Sequence, residues 1–459
     1  MGEYKYQLAS FALFDYKGVE THLEKMAAKG WRFDQIGSFA WRFRKAEPAR
    51  VKYSVTYVPE ASEFDPEPLE KQKEMEEYCE AAGREKAGSW MQMQIFCSET
   101  PEAVPIETDE LLRLEIIKKS MKKNFLFSHL LLLLVFLMNA FTQFQIASGN
   151  WLEFLADSSR LWNFAIWFLG IFYLLFDVAY YWNWLKKAEK EAKEGRACPA
   201  PRLYRTLSRI FLGILAAVVL GLFCSYNRNM VLFMMIYLIG IVLIILLLRK
   251  VQKTLKKQGM SKTGNWILTI VADVVLVVSL LGGLTAVVLK SGIHLDGEKE
   301  PVSVYEVLGR EWKVYNEEIP LRIEDFMAAE YEASSCEAEE TSSILLRLGE
   351  YNQKLFTDSV VLGMQYEVIT VKVKCLYDFC LNAFFEKEFR HSSREEREKT
   401  EFRVVYETEQ AKFHRVYYDG VPMAHDWLLL TENKIIPMTL YLEDLTEEQM
   451  EKIIKKFSD

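Results

Sequence analysis

Four ionisable side chains stand inside or at the margins of long apolar runs: His129, Asp177, Arg209 and Asp273. Surrounded by hydrocarbon, such groups must pair, neutralise or line a polar path, so a layer of them could clamp helices together or relay a proton or ion. Counting about 1.5 Å per residue from the basic end of each run places His129, Asp177 and Asp273 roughly 7 to 11 Å deep, in one layer. A lone carboxylate there costs up to about 2.5–3.5 kcal/mol, so each Asp is expected to be neutral or to find a partner such as His129 or Arg209. A clamp needs nothing more. A relay needs polar groups on the outer halves of the runs, where only Gln143, Gln145 and Ser279 stand out.

No other stretch carries a chemical signature. Gly-x-Ser-x-Gly, a dinucleotide glycine fingerprint, a phosphate-binding loop, His-Glu-x-x-His and paired Cys-x-x-Cys are all missing from the sequence. Ser120-Met121-Lys122-Lys123 and Lys262-Thr263-Gly264 match two fragments of the penicillin-binding serine signature, but they lie in basic flanks and the third fragment is lacking. His391, His414 and His425 are scattered without ligand spacing. Carboxylates such as Glu306 and Glu311 are too numerous for any pair to stand out as acid and base. The expectation is a protein that is not an enzyme, with no catalytic, metal or cofactor residues.

The runs that hold the four ionisable groups are Asn124 to Ala147, Leu161 to Trp182, Leu207 to Tyr226, Met230 to Leu248 and Trp266 to Leu289. Each approaches the roughly 20 residues that carry a helix across hydrocarbon, so five transmembrane spans are expected. Trp151, Tyr180, Tyr181, Trp182, Trp184, Tyr204, Tyr226 and Trp266 gather at the ends, where rings suit the headgroup zone. Alternate connecting segments hold 17 Lys and Arg, and the others hold only Arg160 and Arg228. Lys and Arg resist translocation, so the N-terminus is expected in the cytoplasm and the C-terminal part outside, in a multi-pass cell-membrane protein. With no cleavable signal at its start, the chain would use the first run as its own insertion signal.

Composition then bounds the parts beside the spans. The chain has 459 residues and a net charge of −8, but from Lys290 onward there are 21 Lys and Arg against 35 Asp and Glu, a net of −14. An acidic outer domain does not suit a grip on nucleic acid, and no direct nucleic-acid partner is expected. Of seven cysteines only Cys336, Cys375 and Cys380 would lie outside, an odd set without framework spacing, so disulfides are not expected to be that domain's main support; the oxidation state of Cys375 and Cys380 stays open. Gly213, Ala217 and Gly221 recur every four residues, as do the pairs Ser279 and Gly283, and Gly282 and Ala286. Such faces let backbones approach closely, within the chain or between copies, so a homo-oligomer is one expectation.

The N-terminal part reads as α+β. Tyr4 to Ala12 is strand-like, and Asp15 can cap a helix with Val19, Leu23, Met26 and Ala27 on one face, ended by Gly30. Trp31 to Ile36, Ala40 to Arg44 and Val51 to Val58 read as strands; Leu69 to Ala82 is a helix with Met75, Tyr78, Cys79 and Ala82 on its stripe, and two more strands follow. The helix ending Ala27-Ala28-Lys29-Gly30, with Gly37-Ser38-Phe39 and Trp41-Arg42-Phe43, is echoed by Ala81-Ala82-Gly83, Gly88-Ser89-Trp90 and Gln94-Ile95-Phe96. Repetition of a helix and a hairpin predicts a small ferredoxin-like sheet with helices on one face. Met26-Ala27-Ala28-Lys29-Gly30-Trp31-Arg32, the Tyr53-Ser54-Val55 strand and the Gly83 to Phe96 segment resemble the bacterial family called domain of unknown function 2812 (DUF2812), with Arg84 where the pattern has a second Trp. Membrane helices commonly follow such domains and genes for PadR-type transcriptional regulators often neighbour theirs, so the resemblance implies a cytoplasmic regulatory partner and supplies no catalytic residues.

In the C-terminal part Trp312 to Asn316 and Tyr366 to Cys375 are strand-like, and Tyr377 to about Lys399 reads as one helix. Phe413 to Tyr418 and Val421 onward, about Asp419-Gly420, read as a hairpin; Leu428 to Leu430 with Lys434 to Tyr441 form another. Thr446 and Gln449 box the start of a last helix whose stripe is Met450, Ile453, Ile454 and Phe457. The chain is therefore expected to be α+β soluble domains joined by an α-helical transmembrane bundle of five spans: residues 1–110 cytoplasmic, 111–290 in the lipid bilayer, 291–459 extracytoplasmic. A sensory or regulatory protein that couples the outer domain to a cytoplasmic partner is the first functional expectation. A carrier or ion-coupled transporter is the alternative.

Overall fold

A computed structural model describes residues 3–7, 11–36, 40–62, 64–66, 68–90, 92–100, 106–291, 301–307, 310–328, 330–357, 361–441 and 444–458. The chain divides into two compact units, the first made of Met1–Asn139, Ile166–Leu220 and Asn227–Leu295, the second of Ala140–Ala165, Gly221–Tyr226 and Asp296–Asp459.

The first unit opens with β1 (Tyr4–Gln7), α1 (Tyr16–Ala28), β2 (Trp31–Ile36) and β3 (Trp41–Lys45), then β4 (Lys52–Tyr57), α2 (Glu70–Ala81), β5 (Glu85–Trp90) and β6 (Met93–Ser98). Each half is a strand, a helix and a hairpin, and each forms its own three-stranded antiparallel sheet with its last strand in the middle, β1-β3-β2 and β4-β6-β5. The duplication is thus real in topology, while the single small sheet expected is in fact two. The edges that could have merged, β2 and β5, both carry register breaks, at Phe33/Gln35 and Lys86/Gly88, which twist an edge away from regular pairing. They meet instead through side chains: a Cβ added at Gly88 would lie 2.9 Å from the Phe33 ring. Within α1, Val19, Leu23, Met26 and Ala27 are buried as their spacing predicts, and Gly30 ends the helix at φ +82°. The stripe expected on α2 does not form, since Cys79 alone is buried and Tyr78 is exposed; the helix lies on the surface.

From the N-terminal domain α3 (Glu110–Ser120) runs through a π-helical stretch (Met121–Leu126) into α4 (Phe127–Gly149). After α5 (Trp151–Ala156) come α6 (Ser158–Lys193), α7 (Arg202–Ser225), α8 (Arg228–Lys257) and α9 (Lys262–Ser291). Among the described residues there are 5 helices long and apolar enough to cross a membrane, where five spans are expected. Large apolar side chains such as Leu131, Phe172, Ile210, Ile239 and Val275 are exposed on them, which suits contact with lipid tails and not with water. Small residues set some helix contacts: Gly170 takes the Phe136 ring and Gly240 the Leu280 side chain, whereas Gly213, Gly282 and Gly283 face open space.

The second unit holds the hairpin β7 (Ser303–Val307) and β8 (Arg310–Val314), α10 (Ile323–Phe326), and the strands β9 (Ala333–Ser342), β10 (Leu346–Phe356) and β11 (Val361–Val371). Next come α11 (Tyr377–Glu388), α12 (Arg394–Lys399), β12 (Thr400–Glu407), β13 (Ala411–Tyr418), β14 (Val421–Thr431), β15 (Lys434–Leu440) and α13 (Glu447–Ser458). Seven strands make one antiparallel sheet in the order β12-β13-β14-β15-β11-β10-β9. One core joins the sheet to α10 and α13 through Phe326, Ile436, Ile453 and Phe457; another joins it to α11 and α5 through Phe384, Ile435, Leu152 and Ala156. Both soluble parts are therefore α+β.

Several sequence expectations hold here and some shift. Asp419 and Gly420 turn the β13–β14 hairpin with φ 51° and 78°, the left-handed pair that a two-residue turn needs. Thr446 and Gln449 hydrogen bond reciprocally at the start of α13, whose stripe Met450, Ile453, Ile454 and Phe457 is buried. The helix expected from Tyr377 to Lys399 is broken after Glu388, because the Ser393 hydroxyl and the Glu396 carboxylate cap a new helix and the Arg397 guanidinium holds the Phe389 carbonyl between them. The strands near Trp312 and Tyr366 begin earlier than their apolar residues suggested, at Arg310 and Val361.

Candidate functional site

The first unit buries a polar and aromatic junction where the N-terminal domain meets α3, α6 and α7. It is built on the turn before α1. Asp15 caps that helix by accepting from the Gly18 N–H at 3.0 Å, and this fixes Phe14 just ahead of it. Phe14, 1% exposed, enters an aromatic cage with ring centroids 5.5 Å from Tyr181, 4.8 Å from Trp184 and 5.7 Å from Tyr204. Trp184 is held in turn by donating its indole N–H to the Pro199 carbonyl at 2.7 Å.

Asp15 has a second partner, the Arg205 guanidinium on α7, with Nε 3.1 Å from Oδ2 in an ion pair without hydrogen-bond alignment. Burial pushes the Asp15 carboxyl up to about 6 even though Arg205 and the Gly18 N–H both favour its charged form. On the next turn of α1, burial also pushes the Glu20 carboxyl up, to about 7, while it accepts the N–H of Val55 on edge strand β4 at 2.9 Å. A third knot involves Arg113 on α3, whose guanidinium pairs with Glu107 and Glu110, each at 2.9 Å, and stacks over the Tyr16 ring. The Cys198 backbone N–H donates to Glu110, and burial pushes its thiol up. Helix α1 is thereby tied to α3, to α7 and to the segment after α6.

Beneath this junction lies the polar layer expected from the depth count. His129 on α4 and Asp177 on α6 meet, with Nε2 2.8 Å from Oδ2, and both side chains are largely buried. The other ring nitrogen of His129 lies 2.9 Å from the Phe125 carbonyl, an acceptor only, so Nδ1 carries a hydrogen. The Nε2···Oδ2 contact ties the second ring nitrogen to the carboxylate, whose Oδ1 is buried without a hydrogen-bond partner among the described residues. Tyr204, whose ring forms part of the Phe14 cage, lies near the same carboxylate, and Tyr173 and Ser208 share a hydroxyl contact of 3.1 Å. Junction and layer therefore share one tyrosine.

The remaining residues singled out in the sequence lie elsewhere. Arg209 and Asp273 are both exposed in the chain, and Arg209 lies near the half-buried His22 imidazole, where it helps burial to lower it. Depth fixes where a residue sits along a helix but not which way it faces. His414 and His425 point ring nitrogens at the carbonyls of Leu428 and Leu440, and Arg84 at the position of the second Trp is buried and donates to the Ser54 hydroxyl at 2.7 Å. Phe14 and Arg205 went unmarked in the sequence, although the polar cap beside a large aromatic at Phe14-Asp15 was a usable signal. If the His129–Asp177 contact clamps the helices, H129L removes the partner of a buried carboxyl group, and the thermal midpoint of the full chain in detergent should fall by an amount equivalent to about 1–2 kcal/mol. D177N, which keeps a hydrogen-bonding group, should lose less; equal losses for both would contradict a clamp made by this hydrogen bond.

These features define the class: a chain with α+β domains and, among the described residues, five helices long and apolar enough to cross a membrane, the N-terminal domain being packed against those helices. Residues 15–130 match the model of the family described as Protein of unknown function (DUF2812). The match begins at the Asp15 cap and ends one residue beyond His129, so it takes in α3, the π-helical stretch and the first turn of α4. Neither a curated protein nor a solved structure matches the chain.

Proposed function

We propose that this chain is a sensory or regulatory membrane protein that acts by interaction and not by catalysis. In this reading the C-terminal domain lies outside the cytoplasm and biases the packing of α4 and α6. The N-terminal domain passes that change to a cytoplasmic regulatory protein, with a PadR-type transcriptional regulator as the first partner to test.

The observation that carries the reading is that segments continuous with α4 and α6 enter a buried core in each unit. In the first unit Ile117 and Met121, leading into α4, and Tyr181, Leu185 and Ala188 of α6 share the core of the N-terminal domain. In the second unit α5, the link between the same two helices, buries Leu152 and Ala156 beside Leu346, Ile369 and Phe384, and across that contact the Ser158 hydroxyl donates to the Ser342 carbonyl at 2.9 Å and the Ser343 hydroxyl to the Leu155 carbonyl at 2.5 Å. Helices packed at both ends transmit rotation or translation where flexible linkers would absorb it.

Two measurements test the proposal. A membrane-impermeant maleimide should label exposed Cys375 in intact cells and should reach a cysteine placed at exposed Tyr78 only after lysis; labelling of both in intact cells, or of neither, contradicts the topology. Affinity capture with the full chain and with a chain lacking residues 1–110 should differ in the cytoplasmic proteins recovered, and equal recovery counts against the relay.

A further inference from the structure

We infer that the cytoplasmic end of α8 and the N-terminal domain together form a binding site for the phosphate headgroup of an anionic phospholipid. The inference is independent of the sensory reading. Helix α8 leaves its apolar run at Leu248 and presents Arg249, Lys250, Lys253, Lys256 and Lys257 over its last turns. An excess of Lys and Arg on this side is what membrane insertion alone would select, so the charge count by itself says little. Lys118, Lys119, Arg196, Arg205 and Lys262 each meet a carboxylate, whereas Lys122, Lys123, Lys186, Lys187, Lys190, Lys193 and Arg202 form no salt bridge among the described residues. The five cations of α8 likewise meet no carboxylate among the described residues, so the space beside them is the more informative feature.

These unpaired cations border space. A cavity of about 370 Å³ lies between Arg249, Lys253 and Lys256 and the domain's Ser62, Lys86 and Ser89. A second, of about 510 Å³, lies between Arg249, Lys250 and Lys253 and the domain's Gln35 and Ile36, with Leu246 of the apolar run in its wall. Arg249 and Lys253 line both. Among the described residues the acid in the first cavity is Asp65, which is engaged by Lys262 at 3.1 Å, and the Asn265 side-chain amide donates to the Phe64 carbonyl at 3.2 Å, so this wall is pinned to the start of α9. What remains is a pair of cationic hollows with hydroxyl and amide donors, open beside the last apolar turn of a spanning helix. Phosphate oxygens suit the guanidinium of Arg249 and the ammonium of Lys253, and Leu246 and Ile36 suit the start of an acyl chain. A free phosphate offers the first contact and not the second.

The full-length chain in detergent, titrated with phosphatidylglycerol, phosphatidylcholine or soluble glycerol phosphate and read by native mass spectrometry and thermal midpoint, tests the assignment. Phosphatidylglycerol should be retained and should raise the midpoint, and R249Q/K253Q should weaken its binding about thirtyfold, the expectation for two cations at an anionic headgroup. K190Q, which changes a cation outside both cavities, should leave binding within about twofold. Equal retention of phosphatidylcholine, or binding indifferent to R249Q/K253Q, overturns the site. Equal protection by glycerol phosphate overturns its assignment to a lipid. Circular dichroism of the double variant separates lost binding from lost folding.

Discussion

Replacing Phe14 by alanine should release the N-terminal domain from its helices and cost about 3–5 kcal/mol, the range for emptying an aromatic site in a packed core. The size of the effect follows from the surroundings. Three rings close on Phe14, Trp184 is fixed by its bond to Pro199, and Tyr181 and Tyr204 belong to long helices, so none can collapse freely into the space left. Cys198 reports on the event. Its thiol is buried and raised, and its backbone is held by Glu110 in the neighbouring knot, so it should react slowly with maleimide in the parent chain and at least tenfold faster in F14A. F14L keeps most of the apolar volume and should fall between. An unchanged Cys198 rate together with an unchanged thermal midpoint would show that the cage does not hold the domain in place.

The second large effect is a dependence on pH. Burial raises the Asp15 carboxyl from 3.8 to about 6, so the folded chain holds this proton more tightly than the unfolded chain does. The contribution is fully present below the unfolded value and is lost as pH rises through the folded one. Between about pH 4 and pH 6 the junction should weaken by about 3 kcal/mol. D15N keeps an oxygen for the Gly18 N–H and removes this titration, so across that window it should lose about 3 kcal/mol less than the parent chain. R205M takes away the counter-ion and should move the loss above pH 6. Glu20, raised from 4.5 to about 7, adds a loss of the same sign between those values, which overlaps that of Asp15 and extends above it, and E20Q should remove this part. A thermal-midpoint series from pH 4 to 8 on the four chains checks this, and a D15N profile that parallels the parent would refute the role given to Asp15.

How far the sequence carried the reading depended on whether a feature was local or long-range. Helix spacing placed Val19, Leu23 and Met26 on a buried face, and Asp419-Gly420 fixed a turn, because neighbouring residues settle these questions. The His129–Asp177 contact was within reach because a rise of about 1.5 Å per residue turns two positions into two depths. The facing of Asp273 was not, since rotation about the helix axis depends on partners that depth leaves undetermined. Arg205 read as one more cation holding a loop on one side of a membrane; its ion pair with Asp15 joins residues far apart in the chain, and no local pattern records it. The strands β9 and β10 escaped notice for another reason. Ser334, Ser335, Glu337 and Thr341 make a strand almost without hydrophobic contrast, and it is ordered by pairing with Leu346–Phe356 and not by its own preferences.

The sheet of the second unit also constrains how this polypeptide can be made. Strands β9, β10 and β11 form one meander and β12 to β15 another, and the seam between them pairs Met364 with Leu440 and Ile369 with Ile435. The middle of the sheet can close only after the last strand has emerged from the ribosome, so β11 must wait with an open edge while α11, α12 and three further strands are synthesised. During that interval the nascent chain offers neighbours a row of unsatisfied amides, and a cell that overproduces it faces its greatest risk of aggregation before this seam has closed.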